Sequence, residues 1–403
     1  MQTHKDTPDS THDKMAITAP EARECAPASQ PIRAMEIAAG DLGPAGRTGF
    51  SRTLFVEPLP VVVAGFYPPP AGGESIHVSK LSDHLEKHGL LRARLNLNRF
   101  SPPQKRQFPA GGPVGLPRSL LRHVQTDTLL HLHTHGHSWR SWVVAAFGAL
   151  ALQRSGARGV LTLHSGLAPA YLRQHPAMYG VVVRVLAGFQ RIICVNSEIS
   201  DSLRDLGVAS ECLRVIPAFV PGRPRPPART ELARVKDFGP LILAIVGTGP
   251  EYGLDLLLDA LPRLRAAHPD LCCLVVGNAG ADLLPGRLAG NGLSRSVRFL
   301  GTLSHERCLG WIARADLLVR PSLADGDALS VREGLALGVP VVASNTGHRP
   351  AGTHLFRVGD STDLVQQMHA ALAPGSASRP IPQPDFLRQV LDVYREASGS
   401  RWN

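Results

Sequence analysis

The chain has 403 residues, 43% of them hydrophobic, which suits two ordinary domains and excludes a disordered or fibrous protein. Its formal charge of +10 is uneven: residues 1–50 carry −2, residues 51–220 carry +9 and residues 221–403 carry +3. The excess in the first half fits an anionic partner (a phospholipid surface, a lipid-linked phosphate or nucleic acid) or a merely solvated basic surface.

Residues 1–50 are rich in Ala, Pro, Asp, Thr and Ser without a sustained period, and read as a disordered tail. "LPVVVAG" (Leu59–Gly65) is the first predicted strand, since valines without alternation fit a parallel strand covered on both faces. A proline- and glycine-rich loop follows, then the amphipathic helix "IHVSKLSDHLEKHG", ended by Gly89. "TLLHLHTHG" is a strand leading to an apolar helix from about Trp139 to Gln153. "GVLTLHSG" and "RIICVNS" are strands, and the helix "EISDSLRDLG" starts beside Ser197, a suitable cap. "LRVIPAF" closes a first unit over residues 51–218.

Residues 219–240 are proline-rich and read as a linker. The pattern then restarts over residues 241–384. The strands "PLILAIVG", "LCCLVVGN", "VRFLG", "DLLVRPS" and "PVVAS" alternate with the helices "GLDLLLDALPRLRAAHP", "SHERCLGWIARA" and a short one from about Ala328. A last amphipathic helix, "QPDFLRQVLDVYREAS", falls within residues 385–403. This alternation implies an α/β protein of two doubly wound parallel domains facing a cleft.

The six cysteines form no C-x-x-C pair and several lie in apolar runs, so reduced, buried thiols in a cytoplasmic protein are expected. The polar start is unlike a signal peptide, and the longest apolar runs, such as Val143–Leu152, are too short to cross a bilayer. Any membrane contact is expected to be peripheral, on the inner face.

His131, His133 and His135 alternate in "HLHTHGH" and so share one face of a strand. Same-face positions are about 7 Å apart, which suits a single ion poorly. They read as residues lining a cleft or as core positions, and no metal site is expected. Aromatic residues are only 5%, too few for a stacking platform, so nucleic acid is not expected as a partner.

In open parallel sheets, ligands bind beyond the carboxyl ends of the strands. The stretch "RPSLADGDALSVREGLALGVPVVAS" (Arg320–Ser344) follows one such end. The free amides at the start of its helix form an anion site, which Gly326 and the small Ala328 leave open. Glu333 lies about one and a half turns along, where a carboxylate can accept two hydrogen bonds from a ribose diol. Asp325 sits eight residues earlier, in the loop, and can face the same ligand. Plain capping by Asp325 or Asp327, with Glu333 as a solvated helix acid, accounts for the same residues.

The stretch "DGDALSVREGLALGVPVVAS" resembles the donor-site signature of family 4 glycosyltransferases, retaining enzymes of the GT-B fold. Two acids eight residues apart stand before "A-x-G-x-P-V-V-A-S", with Asp325 where Glu is commonest. "VGTGPEYGLDLLLDAL", "PPPAGGESIHVSKLSDHLEKHG", "TLHSG" and "CVNSEISDSLRDLGV" extend the likeness over most of residues 59–360. The resemblance implies two Rossmann-like domains around a cleft, and a nucleotide-sugar as co-substrate without another cofactor. It assigns the ribose to Glu333 and the diphosphate to Gly247 and to Gly326, Asp327, Ala328, Leu329 and Ser330. Asp325 and His164 would lie beside the sugar, and Gly72 and Gly73 would form a glycine loop closing from the first domain. The acceptor would be a glycan or a lipid-linked molecule, in surface polysaccharide or glycolipid assembly, with an anionic membrane surface nearby.

One departure from the family's pattern matters. Thr248 and Tyr252 stand where the family places an Arg and a Lys against the diphosphate. Arg320, Arg332 and Arg349 are the nearest cations in sequence, and Arg349 is the expected substitute. The alternative is a catalytically degenerate GT-B scaffold that binds nucleotide or a partner without turnover. A third reading is another enzyme on a doubly wound fold, such as a dehydrogenase, and the absence of any G-x-G-x-x-G after a predicted strand speaks against it.

Overall fold

A computed structural model describes residues 59–69, 72–98, 106–277 without 111, 113, 219–221, 236 and 248, then 288, 292–375 and 379–399. The expected tail over residues 1–50 and Thr248 lie outside the described residues.

The first domain starts with β1 (Val61–Gly65), α1 (Gly73–Lys87), β2 (Leu91–Asn96), β3 (Gln107–Pro109), α2 (Gly115–His123) and β4 (Leu129–Thr134). It continues with α3 (Trp139–Ser155), β5 (Arg158–Leu163), α4 (Ala168–Gln174), α5 (Tyr179–Leu186), β6 (Arg191–Cys194), α6 (Ser197–Asp205) and β7 (Leu213–Val215). A short helix, α7 (Arg229–Leu232), lies in the proline-rich segment. The second domain has β8 (Leu241–Ile245), α8 (Leu254–Ala267), β9 (Cys272–Val276), β10 (Val297–Gly301), α9 (His305–Ile312) and β11 (Leu317–Arg320). It ends with α10 (Leu329–Ala336), β12 (Val341–Ser344), β13 (His354–Phe356) and α11 (Ser361–Leu372), and α12 (Phe386–Ser398) follows.

The strands form two parallel sheets, ordered β3-β2-β1-β4-β5-β6-β7 and β10-β9-β8-β11-β12-β13. Each order reverses once, between β1 and β4 and between β8 and β11. Neighbouring loops part at such a point and leave a crevice for a ligand.

The valines of β1 are fully buried because helices cover both faces of the sheet. Trp142 of α3, Leu120 of α2 and Val182 of α5 pack on one face. Val78 and Leu81 of α1 pack on the other, beside Phe386 and Tyr394 of α12. The last helix therefore completes the core of the first domain. Its Tyr394 hydroxyl bonds His131 Nδ1 at 2.6 Å, and its Glu396 pairs with Arg191 and Arg214. In the second domain α8 and α11 cover one face, through Leu257, Leu261 and Met368, and α9 and α10 the other, through Trp311 and Val331. Cys194, Cys272, Cys273 and Cys308 are free thiols.

Eight elements escaped the sequence pattern: β2, β3, α2, α4, α5, α7, β13 and α11. In β2 the reason is Arg94, a charge inside "LRARLN" that reads as a loop. It is 3% exposed and pairs with Asp83 and Glu86 of α1 at 2.8 and 2.9 Å, which offsets its desolvation.

Candidate active site

The carboxyl ends of β1, β4 and β5 face those of β8 and β11 across a cleft of about 540 Å³, a size that fits a nucleotide-sized ligand. Its lining includes the loops at both reversal points.

On the second-domain side, the turn after β8 sets the geometry. Gly253 has φ +67°, and a Cβ there would meet the Pro321 carbonyl oxygen at 1.8 Å, so only glycine lets the turn tuck against the end of β11. That places the Tyr252 ring over Gly247, where a Cβ would sit 2.3 Å from the ring. The Arg320 guanidinium then lies 5.0 Å from the Tyr252 ring centroid. Arg320 Nε donates to Asp325 at 3.0 Å and Nη1 to the Ile245 carbonyl at 2.9 Å. Burial would raise the Asp325 pKa, but Arg320 and Arg349 outweigh it and hold this carboxylate below its ordinary range.

Gly326 to Ser330 line the cleft at the start of α10, as expected from the sequence. Ala328 is the N-cap and offers no side-chain acceptor, so the first amides of the helix are left for a ligand. Asp327 is not such a cap either. Its carboxylate is 1% exposed and accepts from Arg332 Nε at 2.8 Å. Glu333 lines the cleft but is not a solvated helix acid: it is 5% exposed, and His305 Nε2 donates to it at 2.5 Å. His305 gave no sequence signal beyond its place at the start of α9.

Arg349 differs from expectation. Its side chain is 3% exposed, turns onto Asp325 at 3.1 Å and the Ser344 carbonyl at 2.9 Å, and is not part of the cleft lining. Arg332 is likewise held, by Asp327, Gln383 and the Phe386 ring. Of the three nearest cations, Arg320 is the one in the cleft wall.

On the first-domain side, Gly72 caps α1 and Gly73 follows it, both at the cleft. A Cβ on Gly73 would meet nothing within 4 Å, so packing does not demand glycine there and its bareness keeps the cleft open. The next residue, Glu74, pairs with His135 Nδ1 at 2.7 Å. Burial would lower the His135 pKa, but the Glu74 charge and hydrogen bond raise it above the ordinary histidine value. Glu74 gave no sequence signal beyond its position directly after the two glycines.

His164 lines the cleft, and its Nε2 shares a 2.9 Å hydrogen bond with His133 Nδ1. Burial pushes its pKa down to about 4, and that of neighbouring His77 to about 3, so both are neutral imidazoles at pH 7. The alternating histidines part company: His131 bonds Tyr394 and Thr162, His133 bonds His164, and His135 pairs with Glu74.

The two domains touch beside this point. Asn196 Nδ2 donates to the Gly326 carbonyl at 2.8 Å. A Cβ on Gly166 would meet the Asp325 carbonyl oxygen at 1.8 Å, so the loop after β5 rests on the loop before α10 with no room between them.

Known proteins share this architecture. Residues 62–222 match the model described as Glycosyltransferase Family 4, and residues 240–373 match that described as Glycosyl transferases group 1. A GDP-mannose-dependent monoacylated alpha-(1-6)-phosphatidylinositol monomannoside mannosyltransferase of Corynebacterium glutamicum is 32% identical over 193 residues, 43% of this chain and 50% of that one. A D-inositol 3-phosphate glycosyltransferase of Corynebacterium jeikeium is 24% identical over 379 residues, covering 83% and 88%. The chain spans half or less of the length of the first mannosyltransferases it matches. The solved sucrose-phosphate synthase of Thermosynechococcus elongatus has a TM-score of 0.66 at 19% identity, covering 84% and 98%, and shares the GT-B fold. Two family matches, one on each side of the cleft, and a common fold lead to one conclusion: the chain belongs to the family 4 glycosyltransferases.

Proposed function

We propose that this cleft binds a nucleoside-diphosphate sugar and transfers its sugar, with retained configuration, to a hydroxyl of a glycan or lipid-linked acceptor. The observation that carries the reading is the convergence of Arg320, the first amides of α10 and Glu333 on one wall, opposite Gly72 and Gly73. Glu333 takes the ribose, the amides of Gly326 to Ser330 take the diphosphate, and Arg320 replaces the cations missing at Thr248 and Tyr252. Gly247 leaves space beside them. Neutral His164 offers a hydrogen bond to the sugar without repelling a cationic transition state. Asp325 and Glu74 are ion-paired, so neither is a free nucleophile, and rate is gained by positioning and by stabilising the departing diphosphate. The lipid named for the Corynebacterium glutamicum relative supports a lipid-linked acceptor. No cofactor besides the nucleotide-sugar is invoked, and the role fits surface polysaccharide or glycolipid assembly at the inner face of a membrane.

Calorimetry with nucleoside diphosphates tests the donor site. Glu333→Gln keeps the volume beside His305, so the fold is expected to hold while nucleotide affinity drops about tenfold or more, the worth of a hydrogen bond to a charged group. Unchanged affinity removes the ribose assignment. Gly166→Ala forces the two domain loops apart. It is expected to slow transfer about a hundredfold, because a misplacement of about 1 Å has that effect. Full activity in this variant would show that the loop contact does not set the geometry.

One observation favours the scaffold reading: Asp325 already satisfies both Arg320 and Arg349. Nucleotide binding by the intact protein without diphosphate release from any donor, with acceptor extract present, would establish it.

A further inference from the structure

Between Arg106 and Gln190 the chain holds eight arginines, no lysine and a single acid, Asp127. Six of the arginines are exposed on helices, and among the described residues none of these six forms an ion pair: Arg118 and Arg122 on α2, Arg140 and Arg154 on α3, Arg173 on α4 and Arg184 on α5. The same helices expose apolar side chains. Trp139, Val143 and Leu150 stand at i, i+4 and i+11 of α3, one stripe about 16 Å long. Trp139 is 59% exposed and Leu150 58%; they are joined by Leu121 of α2 at 54% and Val181 of α5 at 58%. Helices α2, α3 and α5 pack side by side on one face of the first sheet. The stripe starts two residues beyond His137, which lines the cleft.

We infer that the outer face of α2, α3 and α5 docks on an anionic lipid bilayer. A bilayer surface matches both halves of the pattern. Its phosphates take the unpaired arginines, and its acyl boundary takes a shallow apolar stripe with a tryptophan at one end. Soluble polyanions would use the arginines and leave the stripe in water. The docking surface stands apart from the donor reading. Only its consequence, that lipid-linked acceptors reach the cleft along the Trp139 end, rests on that reading.

The test is sedimentation of the full chain with vesicles of phosphatidylglycerol and phosphatidylcholine, and with phosphatidylcholine alone. Each arginine near the surface is worth roughly fivefold in partition. The triple variant Arg118→Gln, Arg140→Gln, Arg184→Gln is therefore expected to bind anionic vesicles about a hundredfold more weakly. Trp139→Ala with Leu150→Ser is expected to lose about tenfold or more. Arg314→Gln, exposed on the other domain, is expected to change nothing. Undiminished binding in both variants overturns the surface, as does equal binding to neutral vesicles. So does an equal loss in Arg314→Gln, or a loss on RNA that ignores the apolar pair. A dimer in sedimentation velocity that Val143→Asp dissolves would give the stripe to a second copy instead. Nucleotide affinity measured on the same samples separates the two readings: its absence beside normal vesicle binding sinks the donor site alone.

Discussion

Replacing Arg320 by alanine is expected to slow sugar transfer a hundredfold to a thousandfold, with a smaller loss of nucleotide affinity. The diphosphate gains negative charge as the sugar leaves, so a fixed cation stabilises the transition state more than the bound donor. Removing one such preorganised donor typically has an effect of about this size. Arg320 is preorganised by three contacts: Asp325, the Ile245 carbonyl and the Tyr252 ring. Arg320→Lys keeps the charge but loses the fork that binds Asp325, and is expected to fall between the two. Arg349→Ala is the control, because Arg349 braces Asp325 from outside the cleft lining. Steady-state kinetics of all three variants decide the matter. If Arg349→Ala and Arg320→Ala lose rate equally, the effect belongs to Asp325 and not to a phosphate contact.

Acid is expected to unfold the protein early, with about 4 kcal/mol of stability lost between pH 7 and pH 5 from two histidines alone. His77 and His164 are held near pKa 3 and 4 by burial, against an ordinary value of 6.5. The unfolded chain therefore binds protons below pH 6.5 that the folded chain refuses, and stability falls as pH falls. At pH 5 each group accounts for about 2 kcal/mol, from 1.4 kcal/mol per pH unit. His131 and His133 are displaced the same way by burial and add to the slope. The Glu74–His135 pair offsets part of it, because the raised His135 pKa adds stability as pH falls towards 6.5. Its contribution fades only as pH rises through the raised His135 pKa or falls through the lowered Glu74 pKa. Against the 5–15 kcal/mol of a typical fold, the loss is large. Urea midpoints at pH 7.5 and pH 5.0 measure it. Equal midpoints would mean that the cluster is not held neutral.

Strand and helix order was legible because it rests on local periodicity. Buried valine runs such as Val61–Val63 fit parallel strands covered on both sides, and two series of them fit two domains. The loop before α10 was placed for the same reason: Asp325, Gly326 and Glu333 are near in sequence, and a strand end followed by a helix start leaves free amides there. Contacts distant in sequence were not legible. Arg94 in β2 depends on acids of α1, and His131 on a tyrosine 263 residues later. Glu333 has its partner on α9, and Glu74 on the loop after β4. The choice among Arg320, Arg332 and Arg349 was likewise closed to the sequence. Arg320 and Arg349 bracket α10 and Arg332 lies on it, and which one faces the cleft depends on contacts with other elements. Asp327 holds Arg332 and Asp325 holds Arg349 outside the cleft lining, while Asp325 and Tyr252, seated over Gly247, hold Arg320 at the wall. Packing and charge pairing across elements made that selection, and neither has a period that a sequence can display.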